Sequence, residues 1–96
     1  MSAFIMATVA IKDQEKFKEY GAKAGPTLGQ YGGELLIHGT HARTLHGGTD
    51  HSVGAVIRFP DQESLQEWYD SPEYQALIDL RSAGADVTFA AYDTLG

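Results

Sequence analysis

His38 and Arg58 are the two residues whose types and positions best suit chemistry. Each is a polar residue in a segment that is otherwise typical of an apolar strand. His38 is the last residue of the segment ELLIH, and Arg58 lies in the segment SVGAVIRF. A polar group buried on such a strand requires a partner. Histidine suits general acid–base catalysis, and a guanidinium binds carboxylates. We therefore predict His38 as a catalytic acid–base and Arg58 as the residue that holds an anionic group.

Each of these two residues also has a structural interpretation. Arg58 would form an ion pair with a carboxylate across the sheet or across a dimer. His38 would be a partly buried histidine with satisfied hydrogen bonds near the end of its strand. Both interpretations stay open at the level of the sequence.

A second set of residues is predicted to border a small-molecule cleft between helices and sheet. The predicted ligand-binding residues are Tyr20, Tyr31, Trp68, Tyr69 and Arg81, with Tyr74 beside them. Ligand sites are usually apolar clefts with a few polar groups, which this set would provide. Aromatic residues at helical spacing are more commonly core residues, and that is the alternative.

The remaining histidines cluster between residues 38 and 51. Gly47–Asp50 has the composition of a four-residue hairpin loop, which would place His46 and His51 directly opposite each other. Two imidazoles at that distance could share a metal ion or respond to pH. A tight metal site normally needs three ligands, and the chain has no cysteine. We therefore predict no metal site and interpret the segment as an exposed polar loop.

Hydrophobic periodicity divides the chain into alternating strands and helices. Helices are predicted after the N-cap Asp13, after Pro60-Asp61, and from Ser71-Pro72 to a stop at Gly84. The predicted strands are Ala3–Ile11, Glu34–His38, Ser52–Phe59 and Val87–Tyr92.

The predicted first helix contains glycines and a proline, which destabilise helices. Gly21, Gly25 and Gly29 recur every four residues and Pro26 follows the second of them; proline costs about 3 kcal/mol in a helix interior. We predict a kink or a restarted turn at Gly25-Pro26, with two short helices as the alternative. The glycine stripe would allow something to approach closely.

The order of elements, β-α-β-β-α-β, predicts a ferredoxin-like α+β fold in one domain over residues 1–96. Its four-stranded antiparallel sheet carries the helices on one face. The first and third strands, central in this topology, are apolar on both faces. Because soluble monomers rarely expose a large apolar sheet face, we predict that two chains pack sheet against sheet as a dimeric α/β barrel.

Composition limits the partners of the chain. Of its 96 residues 43% are hydrophobic and 21% are charged, with a net charge of −6, which argues against nucleic acid and anionic membranes as partners. The apolar start ends at Lys12, far short of the roughly 20 residues of a membrane-spanning helix. We expect a cytoplasmic protein. Phosphate-binding loops, dinucleotide fingerprints and nucleophile elbows do not occur in the sequence.

Three segments together resemble a known family. They are Tyr31-Gly32-Gly33, Phe59-Pro60 and the run WYDSPEYQ from Trp68 to Gln75. They are similar to a small bacterial family of domains of unknown function within the dimeric α/β barrel superfamily. The resemblance implies the fold and a homodimer but no activity. The wider superfamily includes cofactor-free monooxygenases, muconolactone-type isomerases, polyketide cyclases and haem-handling enzymes.

The function that we predict is binding of a small aromatic or carboxylated metabolite by a homodimer. Cofactor-free proton transfer of isomerase, cyclase or lyase type would follow, with His38 and Arg58 in the roles given above and no cofactor. The first alternative is a non-catalytic binding or assembly module whose polar residues hold the dimer together. The second, by superfamily analogy, is a cofactor-independent monooxygenase.

Overall fold

The computed structural model describes residues 1–95, and within them the chain forms one sheet and a set of helices. The predicted βαββαβ order is confirmed, with the second helical region divided into three short helices. The elements are β1 (Ala3–Ile11), α1 (Gln14–Gly29), β2 (Glu34–Thr40), β3 (Val53–Phe59), α2 (Gln62–Asp70), α3 (Pro72–Gln75), α4 (Ile78–Gly84) and β4 (Ala85–Asp93).

The four strands form a single antiparallel sheet in the order β2-β3-β1-β4. Ala7 of β1 lies opposite Ala55 of β3 on one side and Phe89 of β4 on the other. β1 and β3 are therefore the central pair, as the ferredoxin-like topology predicts. Each of these two most apolar strands therefore has another strand on both of its edges.

The core lies between the sheet and the helices. Along β1 every second residue from Ala3 to Val9 is buried on this helix-facing side of the sheet, as alternation in a strand requires. From the helices, Tyr20, Leu65, Trp68 and Tyr74 pack against it. Trp68 and Tyr74 lie with their ring centroids 4.3 Å apart and their planes inclined at 41°, so tilted aromatic contact forms the centre of the core.

Helix α1 runs without interruption through Pro26, so the alternative of two short helices is wrong. Proline clashes with the Cβ atom of a preceding helical residue, and Gly25 has no Cβ atom. The turn beyond the proline is held by buried side chains, because Trp68 Nε1 donates to Thr27 Oγ1 at 2.9 Å. Thr27 Oγ1 in turn donates to the carbonyl of Ala24 at 2.6 Å.

Two glycines make the turn from α1 into β2. Gly32 has a φ of 75°, a conformation that glycine adopts without steric cost. A Cβ atom on Gly33 would lie 2.7 Å from Cε1 of Phe59. The first glycine thus reverses the chain, and the second lets the Phe59 ring pack against the backbone.

The connection between β2 and β3 differs from the predicted hairpin. Strand pairing ends at Thr40 opposite Val53, and His46 lies in the irregular loop beyond it. Beyond that pair, His41 N donates to the carbonyl of Ser52 at 2.7 Å and Ser52 N donates to the carbonyl of Val9 at 2.8 Å. Residues 42–51 then form a loop longer than the predicted four residues. The predicted opposition of His46 and His51 is therefore wrong.

The other side of the sheet, which we call the open face, carries no helix. Met6, Ile37 and Tyr92 expose 49%, 67% and 45% of their surface there. The ring of Phe4 stacks on that of Tyr92 at 5.3 Å. A single chain therefore leaves a continuous apolar sheet face uncovered.

None of the helices found in residues 1–95 combines the length and the apolar character that crossing a bilayer requires.

Candidate functional site

A cavity of about 280 Å³ lies between α1 and the helix-facing side of the sheet. We call it the α1 cavity. Its walls are almost entirely apolar: Ala7, Val9, Phe17, Tyr20, Gly21, Ala24, Gly25, Leu28, Leu35, His38, Val53, Ala55, Ile57, Trp68, Val87 and Phe89. Because Leu35 and His38 are exposed and line the cavity, it opens to solvent along β2.

The glycines of α1 shape one wall of this cavity. A Cβ atom built on Gly21 or Gly25 would meet nothing within 4 Å. The glycine stripe therefore does not serve close packing between elements of this chain. Instead it leaves open space beside the cavity, at a cost in helix propensity of about 1 kcal/mol per glycine relative to alanine.

A β-bulge directs His38 into the α1 cavity. Leu35 lies opposite Ile57 and His38 opposite Ala55, with the register shifted between Leu35 and Ile37. In a regular strand two residues three positions apart point to opposite faces. The extra residue in the bulge, Leu36, puts Leu35 and His38 on the same, helix-facing side.

The His38 ring is free to act on a ligand. Two other histidines have ring hydrogen bonds, since His41 Nε2 lies 2.9 Å from Thr44 Oγ1 and His51 Nδ1 lies 2.8 Å from Thr8 Oγ1. Within residues 1–95 no such bond engages the ring of His38. Its predicted alternative, a histidine with satisfied hydrogen bonds, does not match this environment.

Arg58 lies on the other side of the sheet from His38. In the strand register Arg58 is opposite Phe4 on β1 and Glu34 on β2, and its side chain belongs to the open face. It borders a shallow depression of about 140 Å³ that Glu34 and Pro60 also line. The structure therefore does not bring His38 and Arg58 together in one site.

A hydrogen-bonded cluster of phenols and one guanidinium lies behind the α1 cavity. Tyr20 Oη and Tyr74 Oη are 2.7 Å apart. Arg81 Nη1 donates to Tyr74 Oη at 2.9 Å and to Tyr69 Oη at 3.3 Å. The cluster thus links helices α1, α2, α3 and α4 at one point.

Burial keeps the phenols of Tyr20 and Tyr74 neutral. It raises the pKa of Tyr20, and the adjacent Tyr74 raises it further. It also raises the pKa of Tyr74, although the hydrogen bonds to Tyr20 and Arg81 act in the opposite direction. For Arg81, burial alone would lower the pKa, but the hydrogen bonds to Tyr69 and Tyr74 outweigh it and the pKa is raised. The guanidinium therefore keeps its positive charge.

A second pocket, of about 510 Å³, lies between α2, α4 and β4. We call it the α4 pocket. Tyr69 and Arg81 line it together with Leu65, Gln66 and residues of β1 and β4. Phe89 lines both this pocket and the α1 cavity. Val87 lines both as well, so the two recesses are adjacent.

The predicted ligand-binding residues are therefore divided between two places. Tyr20 and Trp68 line the α1 cavity, whereas Tyr69 and Arg81 line the α4 pocket. Tyr31 lines neither of these two recesses, and its hydroxyl lies 3.5 Å from a carboxylate oxygen of Glu73. The fold therefore does not form a single cleft bordered by all five residues.

Sequence reasoning missed several residues that shape these recesses. Leu35 and Val53 line the α1 cavity. The alternation of side chains along their strands was the sequence signal that could have identified them. Tyr74, which was predicted to lie beside the cleft, completes the phenol cluster seven residues before Arg81. Because a helix break separates the two, helical spacing alone could not place them together.

Within residues 1–95 no group of three or more His, Asp or Glu side chains is arranged to hold a metal ion. His51 lies with Nε2 at 3.6 Å from Asp86 and 3.7 Å from Asp50. It is held by β1 and β4 rather than by another histidine.

Comparison with protein families gives one match, to the domain of unknown function DUF1330, over residues 2–94. This range covers nearly the whole chain. The chain belongs to the DUF1330 family. The resemblance carried by the YGG, FP and WYDSPEYQ segments is thereby confirmed. No curated protein matches the sequence significantly.

Solved structures share the fold of this DUF1330 protein at low sequence identity. A protein of unknown function from Rhodopseudomonas palustris is 18% identical, with a TM-score of 0.84 over 99% of this chain and 83% of its own. A dimeric ferredoxin-like protein of unknown function from Jannaschia sp. CCS1 is 12% identical, with a TM-score of 0.78 over 98% and 100%. SnoaB, a cofactor-independent oxygenase from Streptomyces nogalater, is 9% identical, with a TM-score of 0.72 over 99% and 94%. At these identities the likeness establishes the ferredoxin-like fold.

Proposed function

We propose that this DUF1330 protein binds a small, uncharged aromatic molecule in the α1 cavity and transfers a proton to or from it through His38. The observation that supports this is a cavity with apolar walls and one free imidazole at its mouth. Engineered cavities of about 150 Å³ bind benzene, so a volume of about 280 Å³ accommodates a compound with two fused rings.

Two polar side chains line this cavity and would have different roles. Histidine exchanges protons near neutral pH, so His38 would act as the acid–base. Tyr20 stays protonated because burial raises its pKa. It therefore cannot act as a base, and its phenol contributes to the wall and to the cluster behind it. Proton transfer of isomerase, cyclase or lyase type needs no bound cofactor.

The reaction is tested with 2-tetralone, a neutral bicyclic ketone with exchangeable α-protons. His38 would accept an α-proton, leaving the enolate, which takes up deuterium from D₂O. The α-proton signal in the NMR spectrum should disappear faster with the protein than in buffer. The variant His38→Asn should lose this acceleration, whereas His46→Asn, a change of the same type in the loop, should keep it.

Binding is measured separately by quenching of Trp68, the one tryptophan of the chain, which lines the cavity. Binding of 2-tetralone without proton exchange would support the non-catalytic alternative, a binding module. Absence of both binding and exchange would refute the proposal for this cavity. Retention of full exchange in His38→Asn would refute the role of His38.

We further propose that two chains pair through their open faces. The uncovered apolar residues on this face support a second copy as the occupant. The Jannaschia structure is of a dimeric protein with the same fold. In such a dimer Arg58 and Glu34 would lie at the interface, and Arg58 would form an ion pair across it, as its structural interpretation predicts.

The dimer is tested by light scattering coupled to gel filtration. The wild-type chain should have the mass of two chains. Met6→Glu would bury a charge in the interface and should give the mass of one chain. Ala22→Glu, on the exposed surface of α1, is the control and should leave the dimer intact. A wild-type monomer at micromolar concentration would refute the proposal.

The second candidate function is cofactor-independent oxygenation, which the fold shared with SnoaB favours. It differs from proton transfer in consuming dioxygen. An oxygen electrode with 1,4-dihydroxynaphthalene as the probe would detect consumption above the autoxidation rate. A rate equal to that of buffer alone would eliminate this candidate. We also propose that the protein is cytoplasmic, which is the location expected from its sequence.

A further inference from the structure

The α4 pocket contains a positive charge that has no acidic partner. Its volume of about 510 Å³ is within the usual range of roughly 300–1,000 Å³ for small-molecule sites. No Asp or Glu within residues 1–95 forms an ion pair with Arg81, because the ion pairs found there involve other residues. A half-buried guanidinium without a counter-charge is uncommon, since buried charges are normally paired.

Neighbouring groups fix the orientation of the Arg81 side chain. Its Nη1 donates to both Tyr69 and Tyr74. Its guanidinium carbon also lies 5.5 Å from the ring centroid of Phe89 and 6.0 Å from that of Tyr69, within the range of cation–π attraction. The side chain is therefore held in place before any ligand arrives, which reduces the entropy lost on binding.

The guanidinium has donors left for a ligand. Arginine carries five N–H groups in a planar fork, and the two on Nη1 are directed to the phenols. Those on Nη2 and Nε have no hydrogen-bond partner within the described residues. Carboxylates match such a fork with two parallel hydrogen bonds.

The remaining walls of the pocket determine what else the ligand must contain. Val87, Phe89 and Ala91 supply accessible apolar surface, and Gln66 supplies an amide at the side. An inorganic anion would leave this apolar surface in water. An organic acid with an apolar or aromatic body would cover it.

We propose that the α4 pocket is a second ligand site, which binds the carboxylate of a small organic acid to Arg81. The body of the acid lies against Val87, Phe89 and Ala91. This site is distinct from the adjacent α1 cavity, with which it shares only Val87 and Phe89. It does not depend on His38 or on the proton transfer proposed above.

The test compares 3-phenylpropionate with its neutral isostere 3-phenylpropanamide by isothermal titration calorimetry. The wild-type protein should bind the acid at least about tenfold more tightly than the amide, a difference of about 1.4 kcal/mol. Arg81→Gln should remove this preference. Arg43→Gln deletes the same charge in the exposed loop between β2 and β3 and should keep it.

Three results would overturn the proposal. They are equal binding of the acid and the amide, no binding of the acid at millimolar concentration, and unchanged binding of the acid by Arg81→Gln. If Arg81→Gln fails to fold, the comparison of acid with amide in the wild-type protein still decides. The NMR signal of the Arg81 Nε–H group must also shift with the acid and not with the amide.

A cavity-filling variant separates this site from the α1 cavity. Gly21→Leu places a side chain in the α1 cavity and should block 2-tetralone while leaving 3-phenylpropionate binding intact. Loss of 3-phenylpropionate binding in this variant would mean that the acid occupies the α1 cavity, and would overturn the assignment to Arg81.

Discussion

Replacing Gly21 by alanine should stabilise the protein. Gly21 lies inside α1, φ is not positive there, and an added Cβ atom would meet nothing within 4 Å. With no steric cost, the gain is the difference in helix propensity, about 0.8–1 kcal/mol. For a domain of this size that corresponds to a rise in Tm of about 4–8 °C.

The matched control is Gly25→Ala, four residues further along the same stripe. A Cβ atom there also has open space around it, but Pro26 follows. Because proline clashes with the Cβ atom of a preceding helical residue, the gain in propensity should be cancelled or reversed. The two variants therefore differ in a local backbone effect and not in packing.

Both variants are measured by urea unfolding and by calorimetry at one fixed protein concentration, since a dimer makes Tm depend on concentration. The expected order of stability is Gly21→Ala, then wild type, then Gly25→Ala. Equal stabilisation by both substitutions would show that α1 does not keep helical geometry at Gly25-Pro26. Destabilisation by Gly21→Ala would show that the space beside Gly21 is already filled.

Three further predictions concern buried hydrogen bonds and a helix cap. Thr27→Val leaves Trp68 Nε1 buried without an acceptor and should lower the free energy of unfolding by about 1–3 kcal/mol; an unchanged urea midpoint would contradict this. Tyr20→Phe removes the hydrogen bond between Tyr20 and Tyr74 and should lower the free energy of unfolding by less than Thr27→Val does, about 0.5–1.5 kcal/mol. The control is Phe17→Leu, which changes a residue outside the hydrogen-bonded cluster. The Asp61 carboxylate accepts a hydrogen bond from Ser64 N, which lowers the pKa of Asp61 below its usual value of 3.8. The ionised carboxylate therefore stabilises the fold above pH 3.8, and this stabilisation is lost as the pH falls below that value. The stability difference between wild type and Asp61→Ala should shrink over the same fall in pH.

The secondary structure was predictable because its signals are local. Asp13, Asp61 and Ser71 each accept a hydrogen bond from a backbone N–H three residues later, and N-capping depends on nothing further away. Apolar residues on both faces of β1 predicted a central strand but not which of the two faces the helices cover. Continuity of α1 through Pro26 was less accessible, because it also depends on Thr27, whose partner Trp68 is distant in sequence.

The candidate site was predictable only in part. His38 was singled out as a polar residue on an apolar strand, but its direction depends on the bulge between Leu35 and Ile37. A bulge shifts every later residue to the other face, and nothing in ELLIH marks it. The hairpin prediction failed because hydrogen bonding between β2 and β3 already ends at His41 and Ser52, which the turn composition of Gly47–Asp50 does not reveal.

By itself, the sequence determined the order of strands and helices, the caps, and a sheet that is apolar on both faces. These follow from the periods of strand and helix and from short-range hydrogen bonds. Only the tertiary structure decided that His38 and Arg58 lie on opposite sides of the sheet. It also decided that Tyr20, Tyr69, Tyr74 and Arg81 form one hydrogen-bonded cluster across four helices and that Phe89 lines two recesses. Such placements depend on strand register and helix packing, which bring together residues that are far apart along the chain.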